Sequence, residues 1–245
     1  MRNPVLFLFL IFTSLCAWAE PASPEEERVL NNYLAAQEQQ REKMKGVQME
    51  VEIDASIPRL AKKGTMTALR AVSNIGKITY DALRFDGDNT VKKEVIVRFL
   101  AREAQGAAEP DPKIAINPEN YKFKLKGIQE KDDQQVYVME VKPKKKRVGV
   151  FKGEIWLDPA TYLTVREAGQ FVKSPSIFLK KIGFVREFAV QNGMSVPTKM
   201  TSYAETRIVG RTELNISYRN FTKIQDEQTG HPTETTTTRA AEPGH

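Results

Sequence analysis

Between Val47 and Ile57 apolar and polar residues alternate without a break. Val47, Met49, Val51, Ile53, Ala55 and Ile57 take one side; Gln48, Glu50, Glu52, Asp54 and Ser56 take the other. A period of two puts every second side chain on one face of a strand, so this stretch reads as a half-buried strand with a wet outer face. The same texture returns at 65–73, 77–85, 120–125, 135–141, 151–157, 162–167, 178–190, 196–208 and 211–221. Polar turns separate the early runs: Lys62-Lys63-Gly64, Asn74-Ile75-Gly76 and Asp86-Gly87-Asp88-Asn89. The last of these lacks the ligand spacing of a calcium loop and reads as a plain acidic turn. Gln191-Asn192-Gly193-Met194 is the strongest hairpin signal, because both central residues of a tight turn take positive φ.

Two stretches break the alternation. Ser23-Pro24-Glu25-Glu26-Glu27 is a helix start, with a capping serine, a proline in the first turn and acids at the positive end of the dipole. The helix is expected over 24–45, with a narrow apolar stripe of Val29, Leu30, Tyr33 and Leu34 to lay on a sheet. Residues 91–104 are ambiguous: Val91, Val95, Phe99 and Arg102 fit a helical stripe, whereas Val95-Ile96-Val97 favours a strand. Its length and its Leu100-Ala101-Arg102-Glu103-Ala104 end favour helix. Residues 105–118 read as a loop that would make a mobile flap. With about ten strands and two helices, the expectation is a mainly β fold: one curved antiparallel sheet that must bury its apolar concave face either by closing as a barrel or by helices that plug it. The two helices suit an incomplete barrel with a helical filling.

The termini fall outside that fold. Arg2, the apolar run 5–15 and Ala17-Trp18-Ala19 form an export signal over 1–19, leaving a half-barrel domain over 20–225 and a polar, Thr-rich tail over 226–245. Cys16 raises the question of a lipid anchor, but Leu15 stands where a small residue belongs. Cys16 is the only cysteine, and both histidines, His231 and His245, follow the last strand. Thiol, Ser-His-Asp and ordinary zinc chemistry are thereby excluded from the folded body, so no enzyme, metal or cofactor is expected. The net charge of +6 suits an anionic membrane surface; in an exported chain it suits nucleic acid less well.

Phe151-Lys152-Gly153-Glu154-Ile155-Trp156-Leu157-Asp158 followed by Leu163-Thr164-Val165-Arg166-Glu167 resembles the outer-membrane lipoprotein-sorting superfamily, the LolA/LolB-like carriers with RseB as a relative. Arg186-Glu187-Phe188, Val196-Pro197 and Thr206-Arg207 extend the resemblance. It implies an unclosed (half) β-barrel with a helical lid or plug, and a periplasmic, monomeric, non-catalytic carrier that holds acyl chains of lipoproteins or other lipid in a greasy cavity. The alternative it implies is an RseB-like sensor that binds a protein partner at the inner or outer membrane. Candidate lining residues on the apolar stripes are Val51, Ile53, Tyr80, Trp156, Phe171, Ile182 and Phe184, each with ordinary core as its other reading. The cluster Lys144, Lys145, Lys146 and Arg147 reads as a solvated loop or as a docking point for anionic headgroups or an acidic partner. The apolar connection 171–178 reads as a gate or as a packed turn.

Overall fold

The alternating runs form ten strands in a computed structural model that describes residues 23–224; the expected signal (1–19) and tail (226–245) lie outside the described residues. In chain order they are β1 Val47–Ile57, β2 Lys62–Val72, β3 Ile78–Gly87, β4 Tyr121–Lys131, β5 Gln134–Pro143, β6 Phe151–Leu157, β7 Thr164–Phe171, β8 Leu179–Gln191, β9 Met194–Thr206 and β10 Arg211–Lys223. All belong to one antiparallel sheet in the order β3-β2-β1-β10-β9-β8-β7-β6-β5-β4. The first and last strands are neighbours, with Ile53 opposite Ile216. The two sheet edges, β3 and β4, are consecutive in the chain and do not pair, so the barrel stays open. Both edges are irregular: Ala82 takes φ 50° beside a bulge in β3, and Gly127 takes φ 105° beside one in β4. Bulges of this kind blunt an edge against pairing with other chains.

One face of the sheet carries the core. Met49, Val51 and Ile53 of β1, Met66 and Ala68 of β2, Met139 and Val141 of β5, Ile155 of β6, Phe184 of β8, Met200 of β9 and Ile216 of β10 are buried together. Two helical pieces cover them. α1, Pro24–Lys43, starts at Ser23, whose hydroxyl accepts from Glu26 N at 3.1 Å, and buries Val29 and Tyr33 against this face. Polar side chains fix α1 across one end of the strands. The Leu125 N–H donates to Glu26 Oε2 at 2.8 Å, Arg28 reaches the Tyr137 and Tyr162 hydroxyls, and the Gln40 side chain exchanges two hydrogen bonds with the Ser195 backbone. The second piece, the insert 89–108, consists of α2 Asn89–Val91, a π-helical stretch Lys92–Val97 and α3 Arg98–Ala108. Asp88 caps it, accepting from Thr90 N at 2.7 Å.

Four local expectations are corrected. Lys62-Lys63-Gly64 is strand, and the turn is made earlier by a 3₁₀ turn Pro58–Leu60 with Ala61 at φ 52°. The helix at 91–104 buries Val91, Ile96 and Leu100, whereas Val95 and Phe99 are half-buried and Arg102 is exposed. The π-helical stretch explains this, because its wider turn puts residues five apart on one face. The helix also runs on to Ala108 through the first part of the expected loop. Finally, 109–120 is pinned: Asn120 Nδ2 donates to the Pro112 and Ala115 carbonyls, and Ile114 and Ile116 pack on the core.

Candidate functional site

Edge strand β3 and the insert do not close on each other completely. Between them lies a cleft of about 370 Å³, walled by Met66, Tyr80, Leu83 and Phe85 from the sheet and by Val97, Leu100, Ala101 and Ala104 from the insert. The lip is formed by Leu83 (53% exposed) and Val97 (45% exposed), large apolar side chains left in water at the edge of an apolar hollow. Lys92 stands beside it, its Nζ 5.0 Å from the centre of the Phe85 ring. An apolar hollow of this size with one cation at its rim can take a hydrocarbon chain bearing an anionic head.

A polar latch closes the inner wall. Arg70 Nη2 donates to Glu103 Oε1 at 2.8 Å, Arg70 Nε donates to the same oxygen at 3.2 Å, and the Tyr80 hydroxyl donates to Glu103 Oε2. Arg70 occupies an inward position of β2 between Ala68 and Val72, and its side chain is only 10% exposed. Burial works against the Arg70 charge, but Glu103, Tyr80 and Tyr218 together outweigh it and hold the guanidinium above its ordinary value. Burial, then Glu103, pushes the Tyr80 hydroxyl up, and burial pushes Tyr218 up to about 12. A second inward pair, Arg186 Nη1 to Glu167 Oε2 at 3.3 Å, bridges β8 and β7. The signal for both pairs was available: a charged residue on the apolar side of an otherwise alternating strand. Among the described residues no three or more His, Cys, Asp or Glu converge as metal ligands do.

The seven lining candidates separate. Tyr80 walls the cleft. Val51, Ile53 and Phe184 are buried in the core, and Phe184 sits edge-on to Phe151 at 5.0 Å. Phe171 packs on Phe184 at 5.3 Å. Ile182, opposite Ala204, shares the inward side of β8 with Phe184 but stays half-buried. Trp156 is on the other side of the sheet. The inward residues of β6 are Phe151, Ile155 and Leu157, and Trp156 projects outward, where Nε1 donates to Glu154 and the Arg166 guanidinium lies 4.7 Å from the ring centre. The reason is parity: a residue one step from an inward isoleucine must point out. α1 and the insert cover the interior, and the lateral cleft is an open apolar space among the described residues, whose Leu83, Phe85, Val97 and Leu100 were not singled out in the sequence.

The basic cluster splits too. Lys144 Nζ donates to the Pro118 carbonyl and Arg147 Nη1 to the Lys113 carbonyl at 3.1 Å, tying the loop to 109–120, whereas Lys145 and Lys146 are exposed. The apolar connection 171–178 is half-buried at Phe171 and Val172, which pack on the core, and bare at its far end, with Ile177 80% exposed and Phe178 54% exposed.

No protein-family model matches the chain, and no curated protein matches it. Solved structures do. A DUF1329 family protein from Desulfovibrio piger aligns over 84% of this chain and 94% of its own, at 12% identity and TM-score 0.45. An outer-membrane lipoprotein-sorting protein domain from Vibrio parahaemolyticus aligns over 85% and 95%, at 14% identity and TM-score 0.45. A LolA superfamily protein from Nitrosomonas europaea aligns over 82% and 94%, at 15% identity and TM-score 0.40.

Proposed function

We propose that this protein is an exported, non-catalytic acyl-chain binder, a periplasmic carrier of lipid or of the lipid part of lipoproteins. The observation that carries the reading is the cleft between β3 and the insert. It joins an apolar wall, a lip of exposed Leu83 and Val97, and a single cation, Lys92, at the rim. Holding a chain needs no acid, base or metal; each methylene removed from water contributes about 0.8 kcal/mol. The Arg70–Glu103–Tyr80 latch gives the insert a defined closed position over the sheet, and opening it would widen the same cleft toward the core.

The test is acyl uptake by protein purified from the exported fraction, read by native mass spectrometry and by titration with a fluorescent fatty acid. Leu83→Asp and Val97→Asp change exposed lip residues, so both variants should fold and melt as the parent does. Binding should fall about tenfold or more in each, because a charge must then be buried against the chain. A parent protein that takes up no acyl ligand, or lip variants that bind as well as the parent, would overturn the carrier reading. The first of those outcomes would favour the RseB-like alternative, a module that binds a protein partner.

A further inference from the structure

In an antiparallel meander the connections alternate between two ends, and here the hairpin segments at the two ends differ in charge, although Lys43 and Lys45, leading from α1 into β1, add cations to the end with the acidic hairpins. At the end bearing the β1–β2, β5–β6, β7–β8 and β9–β10 connections, the segments 58–61, 144–150, 172–178 and 207–210 hold Arg59, the basic run at 144–147, Lys173 and Arg207, and no Asp or Glu. At the opposite end the hairpin segments 73–77, 132–133, 158–163 and 192–193 hold Asp132, Asp133 and Asp158 against Lys77. The remaining connection at the basic end, 88–120, does carry acids: Asp88, Glu94 and Glu103 are paired with Lys62, Arg98 and Arg70, and Glu109, Asp111 and Glu119 belong to the segment to which Lys144 and Arg147 are tied.

The basic end also carries bare apolar tips. Ile177 is 80% exposed, Ile208 67% and Phe178 54%, with Leu60 and Val148 nearly half exposed. The first three are joined. The Arg207 N–H donates to the Phe178 carbonyl at 2.9 Å and Arg207 Nε donates to the Ile177 carbonyl at 2.9 Å, which holds the β7–β8 and β9–β10 loops side by side. Gly210 lies against the Arg59 side chain, so the 58–61 turn adjoins the same pair of loops. Exposed apolar side chains on loops braced to each other, ringed by cations, have the chemistry of an interfacial anchor. The apolar tips enter the headgroup boundary, and the cations pair with anionic lipid.

We infer that this end of the barrel docks on an anionic lipid bilayer, inserting Ile177, Phe178 and Ile208 between headgroups that Arg59, Lys145, Lys146 and Lys173 neutralise. The surface is separate from the acyl cleft and does not depend on it. The experiment is flotation with vesicles of phosphatidylcholine alone or mixed with phosphatidylglycerol, using protein purified from the exported fraction. Binding to the anionic vesicles should exceed binding to the neutral ones by about tenfold or more and should weaken as salt is raised. The triple change Ile177→Ser, Phe178→Ser, Ile208→Ser should abolish flotation; Lys145→Ser with Lys146→Ser should weaken it and flatten the salt dependence. Ile75→Ser, which removes an equally exposed apolar side chain from the opposite end, should leave it unchanged. Equal binding to neutral vesicles, a triple variant that still floats, or an Ile75→Ser variant that fails equally would overturn the inference. No flotation with any vesicle would also overturn it and leave the face to a protein partner.

Discussion

Arg70 is the residue whose environment departs furthest from its type. It lies on the buried side of β2, and its two donors to Glu103 tie the insert to the sheet. Removing one member of such a pair leaves the other charge without compensation, and the damage scales with how deeply the survivor is buried. Glu103→Leu should therefore cost about 3 kcal/mol of stability. Arg70→Met should cost less, because the Glu103 side chain left behind is 25% exposed, against 10% for Arg70. The double change to Met and Leu should recover most of the loss, which chemical denaturation of the four proteins will read. A second residue-scale prediction concerns alkali. Burial raises the Tyr218 hydroxyl from 10.0 to about 12, so the folded state prefers the neutral phenol. That contribution is complete below pH 10 and is lost as pH rises from 10 toward 12, where the unfolded chain is ionised and the folded one is not yet. Denaturation midpoints should fall across that window, and Tyr218→Phe should make the fall shallower.

Elements are held by small devices that the sequence states openly. Ser23 and Asp88 cap the two helical pieces, and Asn192 and Gly193, at φ 52° and 66°, make the hairpin between β8 and β9. The motif at 151–167 serves the sheet. Gly153 faces Gly169 across β6 and β7, and a methyl group there would lie 2.0 Å from the Ala168 carbonyl oxygen. Glu167 pairs with Arg186 on the inward side, and Trp156 rests between Glu154 and Arg166 on the outward side. Asp88 is the device with most leverage on the cleft, because it starts the insert and pairs with Lys62 at 3.3 Å. Asp88→Ala should lower stability measurably and Asp88→Asn much less, since the amide oxygen still caps. Amide hydrogen exchange should place the loss of protection in 89–108 first.

At the scale of the whole molecule, pairing the first strand with the last leaves β3 and β4 as open edges, and the chain between them, 88–120, supplies the insert that walls the cleft. No helix among the described residues is long and apolar enough to cross a membrane. The docking surface proposed at the basic end and the lateral cleft at the β3 edge lie at separate places on one open sheet, and flotation and acyl uptake test them separately.

Much of this was legible in the sequence, because a strand's face is set by parity alone. The inward row of β1, the hairpin at Asn192-Gly193, the mainly β composition of the fold and the cap at Ser23 all follow from local spacing and local backbone preference. Parity also excluded Trp156 from the interior, a conclusion that choosing residues by type passed over. What no local rule contains is which strands are neighbours and which ends coincide. Tertiary structure alone brought β1 beside β10, set Arg70 against Glu103 across 33 residues of sequence, and left Leu83 and Val97 facing an unfilled space. It also gathered Arg59, Lys145, Lys173 and Arg207 at one end. Burial, charge pairing and the surface left over depend on distances between residues remote in the chain, and those distances exist only once the sheet has curved around its helices.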